Sequence, residues 1–137
     1  MSKIKFVIGG SPGINFNLPT KARGDSSICM GRVAVDAGEL RFASELSFRR
    51  DDLLDFCEKA RSIRTNLTGS ANIESTCAAF ALLISATAKG HLEVTTRMRR
   101  WKWAHPDNTE WESTYRCFLY PDALDGLIRS EADLRAD

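Results

Sequence analysis

The sequence contains no Cys-x-x-Cys pair, no HExxH and no glycine-rich loop ending in Gly-Lys-Ser/Thr. Its four cysteines, Cys29, Cys57, Cys77 and Cys117, stand at least 20 residues apart, and there are only two histidines, so a zinc site lacks its usual close ligand pairs. Scattered thiols of this kind read as buried and reduced. Charge of one sign is also missing. Nineteen basic and 18 acidic residues leave a net charge of +1, without the basic excess of a dedicated nucleic-acid binder. No apolar run approaches the roughly 18 residues of a membrane span. The opening MSKIKFVIGG has an apolar stretch too short for a signal peptide, and its Ile4-Phe6-Ile8 alternation reads as a strand. The expectation is a cytoplasmic protein that requires no metal and no cofactor.

What is present is the make-up of one α+β domain over residues 1–137, with 43% apolar and 27% charged residues. Strands are expected at Lys3 to Ile8 and Ile14 to Leu18. A further pair, Ile28 to Val35 and Leu40 to Phe48, flanks the turn Asp36-Ala37-Gly38-Glu39. On the second arm of that pair Leu40, Phe42, Leu46 and Phe48 share one face. Arg50 to Ile63 should then be helical, because Leu53, Phe56, Cys57, Ala60 and Ile63 recur at three- and four-residue spacing. Asp51 and Asp52 suit the positive end of the helix dipole, and Lys59, Arg61 and Arg64 suit the negative end. Phe48 and Leu53 stand where a hydrophobic staple forms if Arg49 is the cap. Asn72 to Ser75 reads as a short strand. The nearly all-apolar Ala78 to Ala86 reads as a central strand buried on both faces. Thr87-Ala88-Lys89-Gly90 then turns into a long hairpin, and Tyr120-Pro121-Asp122 opens a short C-terminal helix with Leu124, Leu127 and Ile128 on its apolar stripe. The predicted architecture is antiparallel sheet with one docked helix after the fourth strand and a short helix at the C-terminus.

Candidates for chemistry are few. Gly9 to Gly13 (GGSPG) precedes an alternating INFNL, so no helix amides follow to receive a phosphate, and a turn results. Cys117 and His91 lie on the two arms of the long hairpin, but a single thiol and a single imidazole there read as structural. Asp51, Asp55 and Glu58 share a helix face by their spacing, which could hold a divalent ion or meet a basic partner, though a solvated helix surface explains them as well.

The hairpin HLEVTTRMRRWKWA–HPDNT–EWESTYRCFL carries all three tryptophans near its tip. A turn within Ala104 to Glu110, with Ala104 opposite Glu110, would set Trp103 across from Trp111, Trp101 across from Ser113 and Arg99 across from Tyr115. Arg97, Arg99, Trp101, Trp103 and Trp111 would then form one surface, while Leu92, Val94, Met98, Phe118 and Tyr120 face the core. Tryptophan and arginine are enriched at protein interfaces. The same residues could instead stack bases of single-stranded nucleic acid, or shield the end of the core. A slip of one residue would reverse the faces.

Read in order, a hairpin ending in LSFRRDDLLDFCEKA is followed by ANIES and AAFALLISA, then GHLEVTTRMRR, then CFLYPDALDGLIRS. This order, over residues 28 to 129, resembles the WapI-like immunity proteins of bacterial polymorphic-toxin systems and related bacterial families of the same layout. Asp52-Leu53, Phe56, Gly90-His91 and Pro121-Asp122-Ala123-Leu124 carry the resemblance, and the stretch Gly31 to Leu40 departs from it in having no Trp. The resemblance implies a non-enzymatic cytoplasmic protein that neutralises a cognate toxin by stoichiometric binding. Two other classes remain open, a small-ligand-binding domain and an enzyme whose residues form no recognisable motif. A deep polar pocket with convergent ionisable groups would favour the enzyme, and a flat aromatic surface the binder.

Overall fold

A computed structural model describes residues 3–9, 13–19, 28–37, 40–101 and 109–136, and within these the side chains of 13–15, 28–36, 41–99 and 112–132. The chain is α+β. Strands β1 (Lys3–Gly9), β2 (Gly13–Pro19), β3 (Ile28–Ala37) and β4 (Leu40–Arg49) form one antiparallel sheet in that order. Helix α1 (Arg50–Asn66) follows. Strands β5 (Ser70–Glu74), β6 (Phe80–Ala86), β7 (Leu92–Trp101) and β8 (Thr109–Leu119) form a second antiparallel sheet, again in sequence order. A 3-10 turn (Pro121–Leu124) leads into helix α2 (Asp125–Ala136). No helix among the described residues is long and apolar enough to cross a membrane.

Each sheet contributes one apolar face to a shared core. Cys29, Val33 and Val35 alternate inward along β3, and Leu46 and Phe48 do so along β4. Leu92, Val94, Thr96 and Met98 do the same on β7. Phe48 of the first sheet meets Phe80 of the second edge to face, with ring centroids 6.2 Å apart and planes at 88°. Further along, Ile14 and Val35 face Val94, Thr96, Tyr115, Cys117 and Leu119 across a small apolar cavity.

The stripe Leu53, Phe56, Cys57, Ala60 and Ile63 is buried as its spacing requires. Arg49 takes the cap position without a side-chain bond, leaving Phe48 and Leu53, both buried, on either side of the helix start. The helix runs three residues beyond Ile63, because Leu67 stops it in the left-handed conformation, φ 57°, and its N–H reaches the Ile63 carbonyl at 2.8 Å. That extension moves Lys59 and Arg61 out of the last turn and leaves Arg64 there. Packing places α1 along β5 and α2 along β1, and the helices touch each other. They bridge the outer strand of one sheet to the outer strand of the other. Arg64 Nε donates to Asp125 Oδ1 at 2.9 Å, and Arg61 pairs with the fully buried Glu131.

Three expectations need correction. Residues Ala78 to Ala86 are not all strand, since Ala78 has φ 61° in the loop and β6 starts at Phe80. That strand is not buried on both faces either; Leu83 is 42% exposed, because only the inner face of the second sheet is covered. The thiols are not uniformly buried. Cys29 and Cys57 are, Cys117 is partly so, and Cys77 is exposed, with no disulfide among them.

Thr96 is 1% exposed, and its hydroxyl has no hydrogen-bond partner among the described residues. A buried hydroxyl stripped of water and left unbonded destabilises the native state. Thr96→Val, which keeps the branched shape, should raise stability by about 1 kcal/mol in urea titration. A lowered midpoint would mean that the hydroxyl has a partner in solution.

Candidate functional site

The outer face of the second sheet is built by strict alternation. Since Leu92, Val94, Thr96 and Met98 point inward on β7, Glu93, Thr95, Arg97 and Arg99 point outward. The register carries this pattern across the strands in rows. Ser70, Ser85, Glu93 and Phe118 form one row, Asn72, Leu83, Thr95 and Arg116 the next, and Glu74, Ala81, Arg97 and Thr114 a third. Arg99 stands opposite Glu112.

This register differs from the one expected of the hairpin. Arg99 faces Glu112 instead of Tyr115, Met98 faces Ser113, and Arg100 is aligned with Trp111, with an irregularity between Arg100 and Trp101. The shift is odd in number, so it exchanges the faces of β8. Tyr115, Cys117 and Leu119 pack against the core, whereas Phe118 and Tyr120, expected inside, are 64% and 71% exposed. The connection 102–108, which holds Trp103 and most of the expected turn, lies outside the described residues, as do the side chains of Trp101 and Trp111. Of the five candidate binding residues, the structure places Arg97 and Arg99 together on the outer face.

The aromatic component of that face comes from residues the sequence reading had put in the core. The His91 ring packs at 5.4 Å against the ring of Tyr120, and Phe118 follows one row along. Leu83 is exposed separately on β6, and charge pairs lie on the same face. Arg99 Nε lies 3.2 Å from Glu112 and Arg116 Nε 3.2 Å from Glu93. Arg97 is held more loosely, with Nη2 at 3.9 Å from Glu74 across the small side chain of Ala81. Around Ala81 there is an open depression of about 290 Å³, bordered by Asn72, Glu74, Leu83, Thr95, Arg97 and Thr114.

Among the described residues, the thiol and imidazole on the two arms of the hairpin are not brought together. Cys117 lines the cavity between the sheets, where burial pushes its thiol pKa up and keeps it protonated, while His91 lies against exposed Tyr120. Burial, and then the neighbouring Cys117, likewise raises the Tyr115 phenol. Asp51, Asp55 and Glu58 are exposed along α1, with Asp55 3.0 Å from Lys59. Among the described residues no three His, Cys, Asp or Glu side chains cluster as a metal site would require. In comparisons with known proteins, no family model, no curated protein and no solved structure matches this chain.

Proposed function

We propose that this chain is a non-catalytic protein-binding protein of the cytoplasm, an immunity protein that neutralises a cognate bacterial toxin domain by stoichiometric contact. The surface we assign to that contact is the outer face of the second sheet. One observation carries the reading: Phe118 and Tyr120 project from a regular strand and its end into solvent beside Arg116, on the face that carries Arg97 and Arg99 further along. Protein interfaces combine large exposed aromatic groups with arginines in this way, and a rigid sheet presents them at little entropic cost.

The test begins with the genes beside this one, where an encoded toxin domain would be the candidate partner. Co-expression of the chain should restore growth to cells making that toxin domain, and the purified pair should bind one to one. Phe118→Ala and Tyr120→Ala should each weaken binding about 30-fold, the scale of a 2 kcal/mol interface residue, with thermal stability almost unchanged. Full affinity in both variants would remove the sheet face from the contact. Protection by catalytic turnover of the toxin at substoichiometric amounts would overturn the binding mechanism itself.

A further inference from the structure

We infer that the depression over Ala81 receives a carboxylate, an Asp or Glu side chain presented by the partner, with Arg97 as its main donor. This rests on reading the outer face as a protein contact. The charge pairs of the sheet point to it. Arg99 and Arg116 each bring Nε to 3.2 Å from a carboxylate on a neighbouring strand. Arg97 stands across from Thr114, where no carboxylate is available, and its closest approach to Glu74 is 3.9 Å, too long for a hydrogen bond. Its Nε, like that of Arg99, is shielded from solvent without a well-aligned hydrogen bond among the described residues, but Arg99 has a carboxylate at 3.2 Å and Arg97 has Glu74 only at 3.9 Å. The Arg97 side chain is 34% exposed, so its terminal N–H groups can meet an acceptor that enters from solvent. The fork geometry of the group favours a carboxylate, which can accept two parallel bonds.

The surroundings suit that occupant. Ala81 leaves space where a longer side chain would fill the row, and Asn72, Thr95 and Thr114 border the space with groups able to donate. Glu74 is the one acidic residue on the rim, and it is 53% exposed. An incoming carboxylate therefore competes with Glu74 for Arg97. Removing that competitor should strengthen binding, whereas an amide or a cation, which would donate to Glu74, should lose from its removal.

The experiment uses small probes, because they test the subsite without the partner. N-acetyl-aspartate N-methylamide and its asparagine counterpart are titrated by NMR into the full chain at constant ionic strength. The aspartate probe should shift the Arg97 Nε–H and the backbone amides of Ala81 and Thr114 saturably, with Kd on the order of 10 mM, the scale of hydrogen bonding to a charged group. The asparagine probe should bind at least about fivefold more weakly. Glu74→Gln should tighten the aspartate probe by about threefold, and Arg97→Gln should abolish its effect. Ala81→Leu, with the dispersion of the spectrum preserved, should abolish it by filling the space. Equal shifts from both probes, equal shifts at Arg99 and Arg116, or weaker binding in Glu74→Gln would each overturn the assignment. A saturable site in a chain that contacts no toxin through Phe118 and Tyr120 would leave the carboxylate subsite standing and remove the partner reading. Toxin binding through those aromatic residues that is indifferent to Arg97→Gln would do the reverse.

Discussion

Phe48→Ala should destabilise the protein by about 3–5 kcal/mol, the range for a fully buried phenylalanine. Three features set the size of the loss. Phe48 has 0% exposure, it packs edge to face on Phe80 from the other sheet, and it precedes the Arg49 cap of α1. A cavity at that position cannot close by local collapse, because two sheets and a helix end hold its walls apart. Denaturant titration of Phe48→Ala, Phe80→Ala and the double variant separates the ring contact from simple burial. A coupling of about 0.5–1.5 kcal/mol is expected from the edge-to-face pair. A loss below about 1 kcal/mol for Phe48→Ala would show that the sheets do not share their core at this point.

Arg61→Ala should be the second large loss, about 2–3 kcal/mol. Glu131 is completely buried on α2, and the Arg61 guanidinium from α1 is bonded to its carboxylate. Removing the cation partner of a buried carboxylate costs roughly 3–5 kcal/mol when the site is sealed. Here the Arg61 side chain is 53% exposed, so water can reach part of the vacated space and reduce the figure. Glu131→Gln should cost less than Arg61→Ala, because it removes the charge together with its need for a counter-charge. The paired replacement Arg61→Leu with Glu131→Leu should recover most of the loss, since an apolar pair has no desolvation penalty. Urea midpoints for the four proteins decide the matter. An Arg61→Ala midpoint equal to the parent's would mean that the carboxylate is satisfied without the ion pair.

The parts of this fold legible in the sequence are those whose pattern is settled locally. Helix α1 is one, because five apolar residues at helical spacing allow a single reading. The β3–β4 pair is another, since Leu46 and Phe48 alternate with Glu45 and Ser47 next to a short turn. The face of β8 is not legible from the turn, and the reason is specific. A five-residue loop sets the faces by count, and an irregularity between Arg100 and Trp101 alters that count. A local signal was available in the strand itself. Glu112, Thr114 and Arg116 occupy alternate positions, and charge belongs on the solvent side, which sends Phe118 outward with them and Tyr115, Cys117 and Leu119 inward. The aromatic part of the candidate site was hidden by the habit of placing phenylalanine in the core, whereas exposure of a large apolar group is the informative observation. The depression over Ala81 could not be read from sequence at all. It depends on β5, β6, β7 and β8 bringing Glu74, Ala81, Arg97 and Thr114 into one row.

Among the described residues every strand pairing joins neighbours in sequence, with β1 to β4 before α1 and β5 to β8 after it. The backbone therefore closes each ladder over one short connection, at the lowest entropic cost such a sheet can have. What remains non-local is the meeting of the two sheets through side chains such as Phe48 and Phe80. Hydrogen bonding and hydrophobic burial are thus separated along the chain's own time axis. A nascent first sheet can complete its ladders during synthesis, yet its apolar face stays uncovered until the second half follows. The interval between those events, set by the length of chain from β5 onward, is when this protein is most exposed to aggregation.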